Sequence, residues 1–153
     1  IHGERTAVTE NRLTGFYRAC DALGLEIPEE YVREGVYHDP DRCAELTQEL
    51  LRLPEPPTCI LMPDDYSALG GMDAIRAAGL RVPEDISIIG FDDINMAQFS
   101  APPLTTVSAP AYHMGMYGAS ILQHLLREHP GPALKIKLPC KLVVRNSCKA
   151  IKK

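Results

Sequence analysis

Arg81-Val-Pro-Glu-Asp-Ile-Ser-Ile-Ile-Gly-Phe-Asp-Asp93 is the stretch from which the fold can be read. Its middle, residues 86–91, is a short apolar, β-branched run bounded by turn residues. That is the pattern of a strand buried on both faces of a parallel sheet. Two carboxylates, Asp92 and Asp93, follow at once. In open α/β sheets ligands bind in the crevice outside the carboxyl ends of the strands, so a strand ending in acids offers acceptors where a small polar ligand sits. Upstream, Thr58-Cys-Ile-Leu-Met62 has the same buried character and leads through Pro63 into a second acidic pair, Asp64-Asp65. Between the two strands the spacing predicts a helix over 66–78, capped by the Asp pair, packed through Leu69, Met72 and Ile75, and stopped by Gly79. Strand, helix and strand make one βαβ unit, right-handed by rule. Gly70-Gly71 inside the helix costs on the order of 1 kcal/mol per glycine against Ala. Such a pair points to close approach of another backbone, either the sheet or a second subunit.

Outward from this unit, residues 10–23 carry Leu13, Phe16, Cys20 and Leu23 near the helical period, with Gly24 as a stop. Residues 31–37 read as a short strand. Asp39-Pro40 is an N-cap followed by proline at the first helical position, opening a helix to about residue 52 buried through Cys43, Leu46 and Leu50. On the other side, residues 94–100 read as a helical turn and 104–107 as a strand. A long helix follows over 111–128, with Met114, Gly118, Ile121, Leu122 and Leu125 on one face, ended by His129-Pro-Gly-Pro132. Residues 135–138 alternate with period 2, 141–145 form a last strand, and the chain from Asn146 is expected to fray. No internal repeat is present.

The totals fit one domain of 153 residues, 45% hydrophobic and 24% charged, with no apolar run approaching the roughly 18 residues of a membrane span. The opening residues carry neither the apolar core nor the cleavage site of a signal peptide. Five cysteines (20, 43, 59, 140 and 148) are an odd number without C-x-x-C spacing. They are expected to be free thiols in a reducing compartment, the cytoplasm. Residues 135–153 hold seven Lys/Arg and no acid, leaving nine basic against twenty acidic residues in 1–134, or −11. An acidic body repels phosphate backbones, so the chain by itself is not expected to bind DNA.

The candidate site gathers Arg12, Tyr37, Asp64, Tyr66 and Asp92. Carboxylates accept from the vicinal hydroxyls of a sugar, a guanidinium donates from a rigid fork, and an aromatic ring covers the C–H face of a pyranose. Each member also has a structural alternative. Asp64 and Asp65 fit as helix caps, Asp93 as the start of a turn, Arg12 as a solvated helix residue, and Tyr37 and Tyr66 as packing. Asp92 alone is favoured as a ligand group by position. There is no G-x-G-x-x-G, P-loop or G-x-S-x-G. The histidines (2, 38, 113, 124 and 129) never take metal-ligand spacing, and no phosphate cradle accompanies the Asp pairs. No catalytic role, cofactor or metal is expected.

Five separated segments share a further feature. Arg12-Leu-Thr-Gly-Phe16, Pro63-Asp-Asp-Tyr-Ser-Ala-Leu-Gly-Gly71, Ala78-Gly-Leu-Arg-Val-Pro-Glu-Asp-Ile-Ser-Ile-Ile-Gly-Phe-Asp-Asp93, Pro103-Leu-Thr-Thr-Val107 and Leu142-Val-Val-Arg-Asn-Ser147 resemble, in order and spacing, the lactose/galactose-repressor family of bacterial transcription regulators. The resemblance implies an α/β fold, a parallel-sheet three-layer sandwich forming an incomplete lobe of the type I periplasmic-binding-protein kind. Residues 1–103 would be the second lobe of an effector domain without its opening strand and helix, 104–134 a segment of the first lobe, and 135–153 the return strand and tail. It also implies a sugar or small-metabolite effector, a homodimer, no membrane, and operator DNA contacted only through a headpiece outside this chain. Arg12 and Asp92 fall at the family's effector-binding arginine and aspartate, and Tyr37 at its ligand-packing ring. Asp64 stands where Asn is frequent. The helix over 66–78 would supply a dimer surface at Leu69, Gly70, Met72 and Asp73. The helix over 111–128, lacking the sheet it covers in the family, is expected to mediate self-association. The rival reading is a solute-binding protein of a sugar transporter, with an enzyme of flavodoxin-like architecture third.

Overall fold

The computed structural model describes residues 1–127 and 134–150. The elements are α1 (Ala7–Leu23), a 3-10 turn (Glu29–Tyr31), α2 (Pro40–Leu51), β1 (Cys59–Leu61), α3 (Asp65–Ala77), β2 (Ser87–Phe91), a second 3-10 turn (Asn95–Gln98), β3 (Thr105–Ser108), α4 (Ala111–Arg127) and β4 (Lys141–Val143). The strands lie in the order β1-β2-β3-β4. β1, β2 and β3 are parallel, and β4 runs antiparallel to β3. The βαβ unit expected from the two acid-tipped strands is therefore present as β1-α3-β2.

One face of the sheet is closed. Ile60, Met62, Ile88 and Leu104 pack with Leu50 of α2 and with Ala68, Met72 and Ile75 of α3 in one buried cluster. α2 starts as its sequence reads, with Asp39 accepting from Arg42 N and Pro40 in the first turn. Gly70 and Gly71 explain how closely α3 is held. A Cβ on Gly70 would collide with the Pro40 carbonyl of α2, and one on Gly71 with the Met62 side chain. The close backbone at Gly70 is thus that of α2, while Gly71 packs on side chains from the sheet, Met62 and Ile88. Two members of the expected dimer surface are corrected by the same packing. Gly70 is buried against α2 and Met72, 2% exposed, lies in the core. Asp73 is exposed, and Leu69 is half-buried, packed against the edge of the core.

The opposite face is only partly covered. α1 lies over it and forms one side of a half-open cavity of about 380 Å³, lined by Cys59, Leu61, Phe91 and Val107 from the sheet and by Leu13, Phe16 and Tyr17 from α1. β1 was expected to be buried on both faces, yet Leu61 is 39% exposed and Cys59 is exposed as well. α1 begins three residues before the expected start, where Thr6 accepts from Thr9 N, and Gly24 ends it in the left-handed region at φ 66°. Its apolar stripe is incompletely used, Leu23 being 73% exposed.

Three further expectations change. Residues 31–37 form no regular strand. His2 N donates to Arg33 O and Gly35 N to His2 O, a single parallel bridge beside a 3-10 turn. Residues 135–138 form no strand either. The tail is tied down: Ser147 is fully buried, donates from Oγ to Ile88 O at 2.6 Å and accepts there from Thr105 N at 2.8 Å. β3 pairs with β2, so the chain stays in this sheet until Ser108 rather than leaving at 104. α4 then runs with no buried residue. Its expected stop at residues 129–132 lies outside the described residues.

Candidate functional site

The carboxyl ends of the three parallel strands converge on one rim, and α1 and the start of α3 supply its walls. Arg12 projects from α1 and donates from Nη1 to Pro63 O at 2.8 Å, just past β1. Its guanidinium lies 3.6 Å from the Phe91 ring centroid and 5.7 Å from that of Tyr37. A cation over an aromatic face is held by the ring quadrupole, so Arg12 is fixed while further N–H donors of its fork have no bond among the described residues. Tyr37 is equally fixed. Its hydroxyl pairs with Thr9 Oγ1 at 2.9 Å, its backbone N donates to Glu4, and its ring packs on Gly3.

The four aspartates divide sharply. Asp64 is 1% exposed. Its Oδ1 accepts from Ser67 N, and its Oδ2 accepts from Ser67 Oγ and His38 N, all within 2.9 Å. It is the N-cap of α3, and its expected place as a direct ligand group is corrected: a carboxylate with both oxygens bonded and no solvent contact has nothing to offer a ligand. Asp65 is fully buried. It accepts from Thr106 Oγ1 at 2.5 Å and from Ile94 N at 2.8 Å. Burial pushes its carboxyl above the ordinary value, and those two bonds oppose the rise. Asp93 accepts from Arg145 Nη2 at 2.6 Å.

Asp92 is different. Its backbone N donates to Val107 O, but its carboxylate makes no bond among the described residues. Desolvation at the rim raises its pKa; the Arg12 charge opposes the rise, and Asp65 and Asp64 reinforce it. Asp92 and Asp93 have φ of 107° and 57°. Positive φ in a side-chain-bearing residue is unfavourable and collects at functional sites. The strain here serves to turn one carboxylate outward and its neighbour inward.

Arg12, Tyr37 and Asp92 are thus brought to one rim, and Tyr66 joins it through a residue that the sequence reading passed over. His38 sits 5.9 Å from the Tyr66 ring, edge-on, and 6.5 Å from that of Tyr37. Its Nδ1 is 3.8 Å from Asp64 Oδ1, and it too has a positive φ, 58°. Tyr66 is 44% exposed. Below the rim the cavity is apolar, reaching Ile27, Tyr31 and Cys59. Cys59 is open to that cavity yet walled by apolar groups, which pushes its thiol up to about 11.

A conserved domain type, the periplasmic binding protein-like domain, matches residues 1–148. The chain belongs to that family. Within the periplasmic binding protein-like family, it is similar to the HTH-type transcriptional repressor CytR of Escherichia coli K12, 34% identical over 149 residues that cover 97% of this chain and 43% of the repressor. It is also 38% identical over 143 residues to the probable HTH-type transcriptional repressor ExuR of Bacillus subtilis, covering 94% of this chain and 43% of that protein. Among solved structures, a putative LacI transcriptional regulator from Bacillus cereus subsp. cytotoxis superposes with a TM-score of 0.91 at 30% identity, over 97% of this chain and 52% of that one. The CelR–cellobiose complex gives 0.88 at 30% identity, over 96% and 45%. The resemblance carried by the five motifs is therefore borne out, and the chain spans about half the length of the proteins it matches.

Two contributors to this periplasmic binding protein-like rim were not found from sequence. Phe91 was read only as the end of a strand, and its place under Arg12 arises only when α1 packs over the sheet. His38 had no signal beyond its place next to Tyr37, since the left-handed turn that swings it over Asp64 depends on a bond to a residue 26 positions away.

Proposed function

We propose that this chain forms one wall of an effector-binding cleft in a cytoplasmic, homodimeric, DNA-binding transcriptional regulator. The effector is a sugar or small metabolite with vicinal hydroxyls. The observation that carries the proposal is the unbonded Asp92 carboxylate on a strained turn, within electrostatic reach of an Arg12 held on Phe91. Asp92 accepts from ligand hydroxyls, Arg12 donates to a ligand oxygen, and Tyr66 and His38 form an aromatic side wall. Tyr37 acts through its ring, its hydroxyl being taken by Thr9. α3 contributes to the dimer contact at Leu69 and Asp73. α4 belongs to a second lobe closing over the rim, which accounts for a helix with Tyr112, Met114, Leu122 and Leu126 all exposed. Effector bridging two lobes stabilises one arrangement of the dimer and so changes the spacing of the DNA-binding headpieces. Among the described residues no helix is long and apolar enough to cross a membrane, which fits that setting.

The test is calorimetry of the full-length regulator against D-ribose, adenosine, D-galactose and cellobiose. At least one is expected to bind, with binding lost in Asp92→Asn and in Arg12→Met. Unchanged affinity in Asp92→Asn would refute the site. The 153-residue chain alone is expected to bind the same compounds weakly and to self-associate through α4. Micromolar binding, or a monodisperse monomer with a rigid α4 by light scattering and hydrogen exchange, would contradict the two-lobed account.

A further inference from the structure

Resting on the reading of Asp92 as the effector's acceptor, we infer that Arg145 is a positioning residue of the site. It holds Asp93, fixes the strained turn that aims Asp92, and ties that turn to the two strands that carry the chain out to α4 and back.

The bonds around the turn are arranged for this. Three consecutive residues are each anchored to a different element. Asp92 N donates to Val107 O of β3, Asp93 Oδ1 accepts from Arg145 just beyond β4, and Ile94 N donates to Asp65 Oδ2 at the start of α3. Arg145 does more than pair with Asp93. Its Nη1 donates to Leu104 O at 2.8 Å, and its backbone N donates to Thr105 Oγ1 at 2.9 Å. The guanidinium therefore bridges the turn and the start of β3 with two arms of one planar group, which an ammonium cannot imitate. Arg145 and Asp93 side chains are 18% and 24% exposed, so solvent screens the pair weakly. A backbone at φ 107° and 57° persists only where its surroundings over-determine it. Among the described residues, Arg145 is the anchor of the turn that also belongs to the segment returning from α4.

The consequence is reciprocal by linkage. Any shift of β3 and β4 relative to β2 moves Asp93 through Arg145 and re-aims Asp92. A ligand bound at Asp92 in turn resists that shift. Arg145 touches no ligand; it acts through the turn.

The experiment uses the full-length regulator, with Arg145→Gln, Asp93→Asn, their double variant and Asp92→Asn. The probe is the tightest wild-type binder among D-ribose, adenosine, D-galactose and cellobiose. Arg145→Gln and Asp93→Asn are each expected to weaken probe binding by about tenfold, the double variant no further, since both break one pair. Saturating probe should slow amide exchange at 105–107 in the wild type but not in Arg145→Gln, while exchange at Asp92 still slows in both. A merely structural role would not separate those two readouts. If Arg145→Gln does not fold, Asp93→Asn carries the same comparison. Wild-type affinity in both single variants, or probe protection at 105–107 undiminished in the variant, overturns the inference. If Asp92→Asn binds as the wild type does, the site reading itself fails instead. If no probe binds, exchange of the 92–94 amides without ligand decides: faster exchange in Arg145→Gln and Asp93→Asn upholds the positioning role, and unchanged exchange overturns it.

Discussion

The Asp-Asp pair after β1 and the Asp-Asp pair after β2 have the same sequence and the same place at a strand's carboxyl end, but they serve different purposes. Asp64 and Asp65 are both buried and both bonded, one capping α3 and the other joining α3 to β3 and to the turn at Ile94. Asp93 is bonded to Arg145, and of the four only Asp92 has a carboxylate with no bond among the described residues. What separates the pairs is the element that follows. A helix follows the first pair at once: Asp64 turns inward to accept from an amide of its first turn, while Asp65, the first residue of that helix, turns inward to Thr106 and Ile94. A left-handed turn follows β2, and it sends adjacent side chains in different directions.

Asp65→Ala breaks the comparison most severely. It leaves the Thr106 hydroxyl and the Ile94 amide without acceptors in a buried site, at about 3 kcal/mol or more of unfolding free energy. Urea unfolding measures it, and a loss below about 1 kcal/mol would mean that water satisfies those groups. Asp64→Ala should cost about 1–2 kcal/mol by loss of the cap, and Asp64→Ser much less, because a serine oxygen still accepts from Ser67 N. Equal losses for Ala and Ser would show that the His38 bond, not the cap, matters. Asp92→Asn should leave stability within about 0.5 kcal/mol while removing ligand binding.

The smallest effect is on pH dependence. The folded-state pKa of Asp92 lies above its unfolded value. Its contribution to stability is therefore fully present below the unfolded value, about 4, and is lost as pH rises through the raised folded value. Asp92→Asn should remove that part of the slope in acid-range urea titrations. The exposed Asp85 has the opposite sign, its pKa lowered by Arg81. An Arg81→Gln control should flatten a slope running the other way.

What could be read from sequence follows the range of the interactions. β2, the Asp39-Pro40 cap of α2 and the Gly24 stop of α1 are encoded by neighbours within one element, the βαβ unit by the order of three consecutive elements, and the structure shows all four. The strand expected at 31–37 and the fraying tail depended on distant partners. Whether extended backbone becomes a ladder is decided by the strand beside it, and the tail is held by Ser147, whose bonds reach Ile88 and Thr105. In the candidate site, Arg12, Tyr37, Tyr66 and Asp92 were named from sequence, and the structure places them at one rim. The inward turn of Asp64 was one of two open readings, its place before an expected helix giving capping and ligand binding equal standing. Phe91 and His38 acquire their roles only when α1 and α3 arrive over them.

The packing at Gly70 extends its influence to the rim. α2 touches α3 there with no room for a methyl group, and the residues just ahead of α2 are Tyr37, His38 and Asp39. Any heavier residue at position 70 must push the start of α2 aside and carry Tyr37 and His38 with it. A change at position 70 can therefore reshape the rim from a residue that does not line it.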